Sequence, residues 1–334
     1  MNDDRLARVR ARLTEHGADV LVLRPSSNLR YLTGSDERGL LVITPDGPPE
    51  HIASGAAAEA AARIPVGARV AVDPLMPAHE LLAIQERLGP QTLFASADPL
   101  LAPLRMRKSA AEIAAMERAA TAADRVMAMA ADLRWSGATE REMARRLHIL
   151  LLENGHEEVT LVTVAAGENS AAPYHRPSDR VINPGDAVLV NIGGRHEGYC
   201  SDLTRMFVVS EPPEDFEALY SVVLAAHSAA CEAVRPGVTA AGLDQVCREI
   251  VSASGYAAFL AHRTGHGVGL DQFEPPYLSP DDHTVIEPGM TVSVQPALYL
   301  PGLYGARIED VVVCTDIGSR RLNQRPRLLT VTDH

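Results

Sequence analysis

Long apolar runs are missing. No stretch approaches the ~20 consecutive apolar residues that a membrane-spanning helix needs, so no such span is expected. The start, MNDDRLARVRARL, is charged and has no apolar core of the secretory type, so a cytoplasmic protein is expected. Cysteine is scarce as well. Cys200, Cys231, Cys247 and Cys314 are the only four, and none stands in C-x-x-C spacing. That excludes a zinc knuckle or a disulfide framework and leaves reduced thiols. Basic residues are outnumbered, 31 Lys plus Arg against 43 Asp plus Glu, for a net charge of −12. With no basic stripe to offset that balance, nucleic acid and anionic membranes are excluded as partners. A G-x-G-x-x-G turn after the first strand is absent too, which removes a dinucleotide-binding domain.

What is present is a chain of 334 residues, 46% hydrophobic and 22% charged, longer than one core usually serves. Two domains are expected, 1–105 and 106–334. The first is a small α/β domain. Leu6, Val9 and Leu13 recur at helical spacing, and a compact strand follows at 19–23. Next come a loop over 24–38 carrying the polar groups Asn28, Arg30 and Tyr31, and a strand at 40–44. An Ala-rich helix at 56–63, a strand at 69–72 and a helix at 78–88 complete the alternation.

In the second domain a long helix starts at the cap candidate Ser109, with Glu112 three residues on. Another starts at Thr139, with Glu142 placed in the same way, and stops at Gly155. One hundred positions later Gly237, Thr239 and Gly255 repeat Gly137, Thr139 and Gly155. Leu243, Ile250 and Val251 likewise repeat Met143, Leu150 and Leu151. This predicts an internal duplication, two helix–helix–sheet halves about a pseudo-two-fold axis, with any site drawing groups from both.

The segment 188–205, VLVNIGGRHEGYCSDLTR, predicts two short strands joined at Gly193-Gly194. It sets Asn191 and Asp202 toward one pocket, an amide beside an acid. Three further segments carry chemistry-bearing residues: AHRTGHGVGLDQFEPPYL (261–278), MTVSVQPALYL (290–300) and GARIEDVVVCTD (305–316). With GENSAAPYHRPSD (167–179) and the hairpin, these resemble the creatinase/aminopeptidase P/prolidase family. The H-R-T-G-H-G-x-G and R-I-E-D blocks, in this order and spacing, carry the resemblance. It implies the "pita-bread" fold for the C-terminal two thirds and a creatinase-like N-terminal domain. A homodimer is also implied, with a small-molecule substrate.

Metallopeptidases of that family bind two ions through two Asp, one His and two Glu. Those positions fall here on Asn191, Asp202, His266, Gln295 and Glu309. Two of the five carboxylate or imidazole ligands are therefore amides, and hard cations that share a bridging acid lose half their anionic oxygens. Tyr174 and Phe273 stand where the peptidases carry histidines, and neither can replace a histidine in moving a proton. His175, adjacent to Tyr174, points differently. His262 and Arg307 match family positions near substrate and metal shell. Gln295, between Val294 and Pro296, is expected on a buried strand, bonded to a ligand or to Asn191. Asp202 and Glu309 are expected to lean on Arg307 or His266, because a buried acid without a partner is costly.

The resulting expectation is a small-molecule enzyme that needs no metal and carries out C–N hydrolysis or a related elimination. His266, His262, Asp202 and Glu309 are its catalytic candidates. Asn191, Gln295, Tyr174, His175, Arg307 and Phe273 are its substrate-binding ones. Ordinary Xaa-Pro peptidase activity is disfavoured. Two alternatives remain: a hydrolase with one divalent ion on Asp202, His266 and Glu309, or a weakened Xaa-Pro dipeptidase; and a non-catalytic binding member of the family.

Overall fold

The computed structural model describes residues 2–35, 38–53 and 57–333. It divides into two compact units, Met1–Arg105 and Met106–His334.

The first unit alternates helix and strand: α1 (Asp3–Glu15), β1 (Val20–Leu23), α2 (Ser27–Thr33), β2 (Leu40–Ile43), β3 (Glu50–Ile52), α3 (Ala57–Ala61), β4 (Arg69–Val72), α4 (Ala78–Leu88), β5 (Leu93–Ser96) and α5 (Asp98–Met106). The sheet order is β3-β2-β1-β4-β5, parallel from β1 through β4 to β5 and antiparallel on the other side. Leu6, Val9 and Leu13 form the buried stripe of α1. The segment expected to be a loop at 24–38 is corrected: its middle is helical. Ser26 caps α2 by accepting from Leu29, Gly34 ends it in the left-handed region, and Asn28, Leu29, Tyr31 and Leu32 are buried. Asn28 is held by Asp73 and Arg105, so it is a packing residue of this unit. Position 56, the first of the helix expected at 56–63, lies outside the described residues.

The second unit continues with α6 (Ala110–Ala131), α7 (Glu140–Glu153), β6 (Glu158–Ala166), β7 (Ala187–His196) and β8 (Tyr199–Val209). Then come α8 (Phe216–Ala233), α9 (Ala240–Ala253), β9 (Gly265–Gly267), β10 (Glu274–Leu278), β11 (Thr291–Val294), β12 (Ala297–Leu300), β13 (Tyr304–Arg307), β14 (Asp310–Cys314), β15 (Ser319–Arg321) and β16 (Thr330–Thr332). Both α6 and α7 open on full capping boxes, Ser109 with Glu112 and Thr139 with Glu142.

The duplication is visible bond by bond. Thr139 and Thr239 cap α7 and α9, helices of equal length. Gly137 and Gly237 take positive φ of 84° and 88°, and their N–H groups donate to the carbonyls of Ile182 and Ile286. One apolar cluster packs α6 and α7 on β7 and β8, and another packs α8 and α9 on β11 and β14. The sheets run β16-β8-β7-β6 and β10-β9-β11-β14-β15. They meet at an isolated bridge between Thr204 and Glu309.

The hairpin differs from its expected form. Its strands are 10 and 11 residues long, and Gly193 and Gly194 lie inside β7. The reversal falls at Glu197 and Gly198, both at positive φ. The paired glycines serve close approach instead of a turn. A Cβ on Gly193 would sit 2.9 Å from the Gln272 amide, and one on Gly194 2.6 Å from the His156 ring. Among the described residues no helix is long and apolar enough to cross a membrane. All four cysteines are free and buried.

Candidate functional site

Asp202 and Thr204 are two apart on β8, so their side chains share a face. In the β7–β8 register Asn191 is opposite Thr204, and Gly193 is opposite Asp202. Asn191 and Asp202 are therefore diagonal neighbours. The Asn191 Nδ2 donates to Asp202 Oδ1 at 3.2 Å, to Glu309 Oε2 at 3.1 Å and to the Leu203 carbonyl at 3.2 Å. Glu309 comes from the short connection between β13 and β14. It accepts further bonds from Thr204 Oγ1 at 2.6 Å and Ser293 Oγ at 2.7 Å. His266, central in β9, faces both acids, with its Nε2 3.6 Å from Asp202 and 4.0 Å from Glu309.

Each of these groups is buried. Burial first, and then the Glu309 charge, push the Asp202 carboxyl well above the usual carboxylate range. Burial holds His266 below its ordinary value, only partly offset by Glu309. The imidazole is therefore neutral at pH 7. Its Nδ1 lies 3.0 Å from the Gly267 carbonyl, which fixes the proton on that nitrogen. Its Nε2, fully enclosed, has no hydrogen-bond partner. A buried lone pair left unused costs about 1–3 kcal/mol, so this atom is built to meet something. Asp202, His266 and Glu309 each offer a ligand atom, all within 4.8 Å of one another.

Behind this floor Arg205 fixes the seam between the halves. It donates to the carbonyls of Thr204 and Glu309 at 2.8 and 2.9 Å, and to Asp310 at 2.7 Å. Asp310 also meets His227 at 3.2 Å. Arg307 is buried, and its Nε donates to Thr204 Oγ1 at 3.1 Å. Of the two partners expected for the acids, His266 faces both and Arg307 bonds Thr204, while neutral donors on Asn191, Thr204 and Ser293 add direct bonds to the carboxylates.

The site opens into a cavity of about 670 Å³, large enough for a dipeptide-sized molecule. Its lining includes Asn191, Asp202, Glu309, His262, Arg307, Gln295, Phe273, Tyr174 and His175. His262 is half-buried, with Nδ1 against the Arg263 carbonyl and Nε2 2.9 Å from the Tyr299 hydroxyl. Burial lowers its affinity for a proton. Gln295 is corrected: it stands in the gap between β11 and β12, half-buried, and Asn191 directs its amide elsewhere. His175 bonds Glu140 at 2.7 Å and is anchored to the scaffold. Tyr174 is 88% exposed at the mouth, while Phe273, 53% exposed, packs edge-on against the His266 ring at 4.6 Å.

Thr204, Ser293, Tyr299 and Gln272 went unrecognised in the sequence. For Thr204 the signal was available, since it follows Asp202 at strand spacing in a segment already singled out. Ser293 and Tyr299 gain their roles only from long-range register.

Residues 114–316 match the metallopeptidase family M24, and residues 5–64 match the creatinase/prolidase N-terminal domain. The chain is similar to a probable dipeptidase PepE of Mycobacterium tuberculosis, 36% identical over 98% of this chain and 96% of the relative. The solved structure of dipeptidase PepE from Mycobacterium ulcerans superposes with a TM-score of 0.90 at 36% identity, over 98% of this chain and 97% of that one. A recombinant prolidase from Thermococcus sibiricus gives a TM-score of 0.94 at 31% identity, over 99% of each chain. The two-domain architecture is thus the creatinase-type N-terminal domain followed by the duplicated pita-bread domain.

Proposed function

Because this chain belongs to the metallopeptidase family M24, we propose that it hydrolyses an amide C–N bond in dipeptide-sized substrates with one divalent cation held by Asp202, His266 and Glu309. The orphaned Nε2 of His266 carries this assignment, because it turns its lone pair toward two carboxylates in a site sealed by neutral donors. One imidazole and two carboxylates fit a single catalytic ion of the zinc or manganese type with open positions. They do not fit a pair of ions, because the remaining family positions are the amides Asn191 and Gln295. Once bound, such an ion polarises a carbonyl and supplies a nucleophile from water at neutral pH.

The protein's own groups do the rest. The Gly267 carbonyl keeps His266 in the tautomer that can ligate. Thr204, Ser293 and Asn191 hold the Glu309 carboxylate in a single orientation. Arg307 places a fixed positive charge beside the reacting centre, where charge develops on the carbonyl oxygen. His262, neutral, gives its one N–H to the Arg263 carbonyl and takes the Tyr299 hydroxyl on its other nitrogen, which orients that tyrosine. With Tyr174 and Phe273 in place of histidines, proton transfer is poorly served. Turnover about 10²- to 10⁴-fold below a relative with both histidines is expected.

The metal-free alternative draws on Asp202, whose raised carboxyl can keep a proton between itself and Glu309. Metal analysis separates the two. Protein equilibrated with manganese or zinc and dialysed is expected to retain one ion per chain, and His266→Ala to retain none. Hydrolysis that survives complete chelation establishes the metal-free route. Two ions per chain refute the argument from the amides.

A further inference from the structure

We propose that Gln272, aimed by Thr160, is a positioning residue that holds the Asp202 carboxylate in place for the cation. This rests on the one-ion reading of the site given above.

Gln272 lies in the connection between β9 and β10. Its Nε2 donates to the Ser201 carbonyl at 3.2 Å, and its Oε1 accepts from Thr160 Oγ1 at 2.7 Å. A carbonyl can only accept, so the nitrogen faces Ser201 and the oxygen faces Thr160. The amide thus has a single orientation, and one hydrogen on Nε2 is left over. Ser201 immediately precedes Asp202. Gly193, the partner of Asp202 across the β7–β8 pair, lies against the same amide, for a Cβ there would sit 2.9 Å from Nε2. Burial and the Glu309 charge raise the Asp202 carboxyl, and the largest opposing influence is the hydrogen bond from the Gln272 side chain, ahead of that from Asn191. The remaining hydrogen therefore serves Asp202, which is held by two amides.

Thr160 reaches Gln272 through an irregularity in the sheet. Strand β6 pairs with β7 at Val159–Gly194 and again at Leu161–Gly193, so Thr160 is the extra residue of a β-bulge. Such a bulge re-aims a side chain that a regular pleat would direct elsewhere. The residues after Gln272 are equally fixed. Phe273 packs edge-on against the His266 ring, and Glu274 is anchored by a buried ion pair with Lys108 at 2.7 Å. Three consecutive residues thus brace Asp202, brace His266 and tie the segment to the scaffold, as outer groups do when they orient metal ligands. The cavity lining includes Asp202 and Phe273 but neither Gln272 nor Thr160, so these two act through Asp202 and not by touching substrate.

The test measures manganese affinity of the full chain by calorimetry for the wild type, Gln272→Met, Thr160→Val, Thr160→Ser and the double variant Gln272→Met with Thr160→Val. Methionine keeps the reach of glutamine and has no donor. Gln272→Met is expected to weaken manganese binding about 10- to 100-fold. Thr160→Val should weaken it in the same direction, and Thr160→Ser, which keeps the hydroxyl, should bind as the wild type does. Because Thr160 acts through Gln272, the double variant is expected to bind no more weakly than Gln272→Met alone. If Gln272→Met does not fold, the contrast between Thr160→Val and Thr160→Ser decides on the same criterion. Unchanged affinity in Gln272→Met, or losses that add in the double variant, overturn the proposal and leave the one-ion reading standing. A wild type that binds no manganese overturns both.

Discussion

Replacing Asn191 by Asp puts a number on how the site manages its charge. In the native site the Asn191 amide donates to Asp202 at 3.2 Å and to Glu309 at 3.1 Å. Asn191→Asp keeps the shape and removes the donor, bringing three buried carboxyl groups together. At these separations each like-charge pair costs about 5 kcal/mol at an effective dielectric constant of about 20. Two such pairs cost more than keeping one group protonated at pH 7, which for an ordinary aspartate is about 4 kcal/mol. Protonation therefore caps the penalty near about 4 kcal/mol, and the second unit should melt about 8–16 °C lower when measured in chelator.

The pH dependence has a definite sign. The new acid's pKa is raised on folding, so the deficit is absent below its unfolded value near 4 and grows as pH rises toward 7. Manganese or zinc should restore stability, because the variant carries the anionic oxygen that a second ion requires. Differential scanning calorimetry over this pH range, with and without metal, makes the measurement. A variant within about 2 °C of wild type at pH 7 in chelator, or one whose deficit deepens toward acid, refutes the account of Asn191.

Two further outcomes follow from buried charges away from the cavity floor. The Glu140 carboxylate accepts from Ala166, Asn169, His175 and Ser178 at 2.6–3.0 Å, tethering the segment that carries Tyr174 and Arg176. Glu140→Gln turns one acceptor oxygen into a donor facing donors, a loss of about 1–3 kcal/mol. It should speed amide exchange over 167–178 and raise KM, while exchange in α9 stays unchanged; equal protection of 167–178 in wild type and variant counts against the tether. His227 is buried, which opposes its charge, but Cys231 and Asp310 outweigh that and lift it to about 9. Set against an unfolded value near 6.5, its stabilisation of about 3 kcal/mol is complete below pH 6.5 and lost as pH rises through 9. His227→Gln should flatten that alkaline limb in calorimetry, and a wild-type melting temperature constant from about pH 6.5 to 9.5 defeats the assignment.

What was legible in the sequence was what depends on near neighbours. The capping boxes at Ser109 and Thr139 join residues three apart, and the duplication shows because the caps and stops recur at a fixed interval. Even so, α2 was hidden. Ser26 and Gly34 are cap and stop, but the seven residues between them are too short for a helical period to stand out. Gly193 and Gly194 misled for the opposite reason. The atoms that require them belong to Gln272 and His156, distant in sequence, and no local pattern records those contacts. The same divide runs through the site. Asp202, His266 and Glu309 stand in recognisable blocks, whereas Ser293 and Tyr299 find their partners, Glu309 and His262, 16 and 37 residues away in the chain.

Asn191 shows why an amide, and not an apolar residue, can occupy such a position. Asp202 and Glu309 face each other across the seam of the two halves and would repel if nothing positive lay between them. A second ion is one solution. The Nδ2 of Asn191, with two hydrogens directed at the two carboxylates, is another. It supplies partial positive charge where that ion would bring a full one, and it asks no counter-charge from Gln295. A leucine of similar volume would leave both acids short of a donor and cost more than the amide does. The pocket therefore keeps its two acids together with an amide between them.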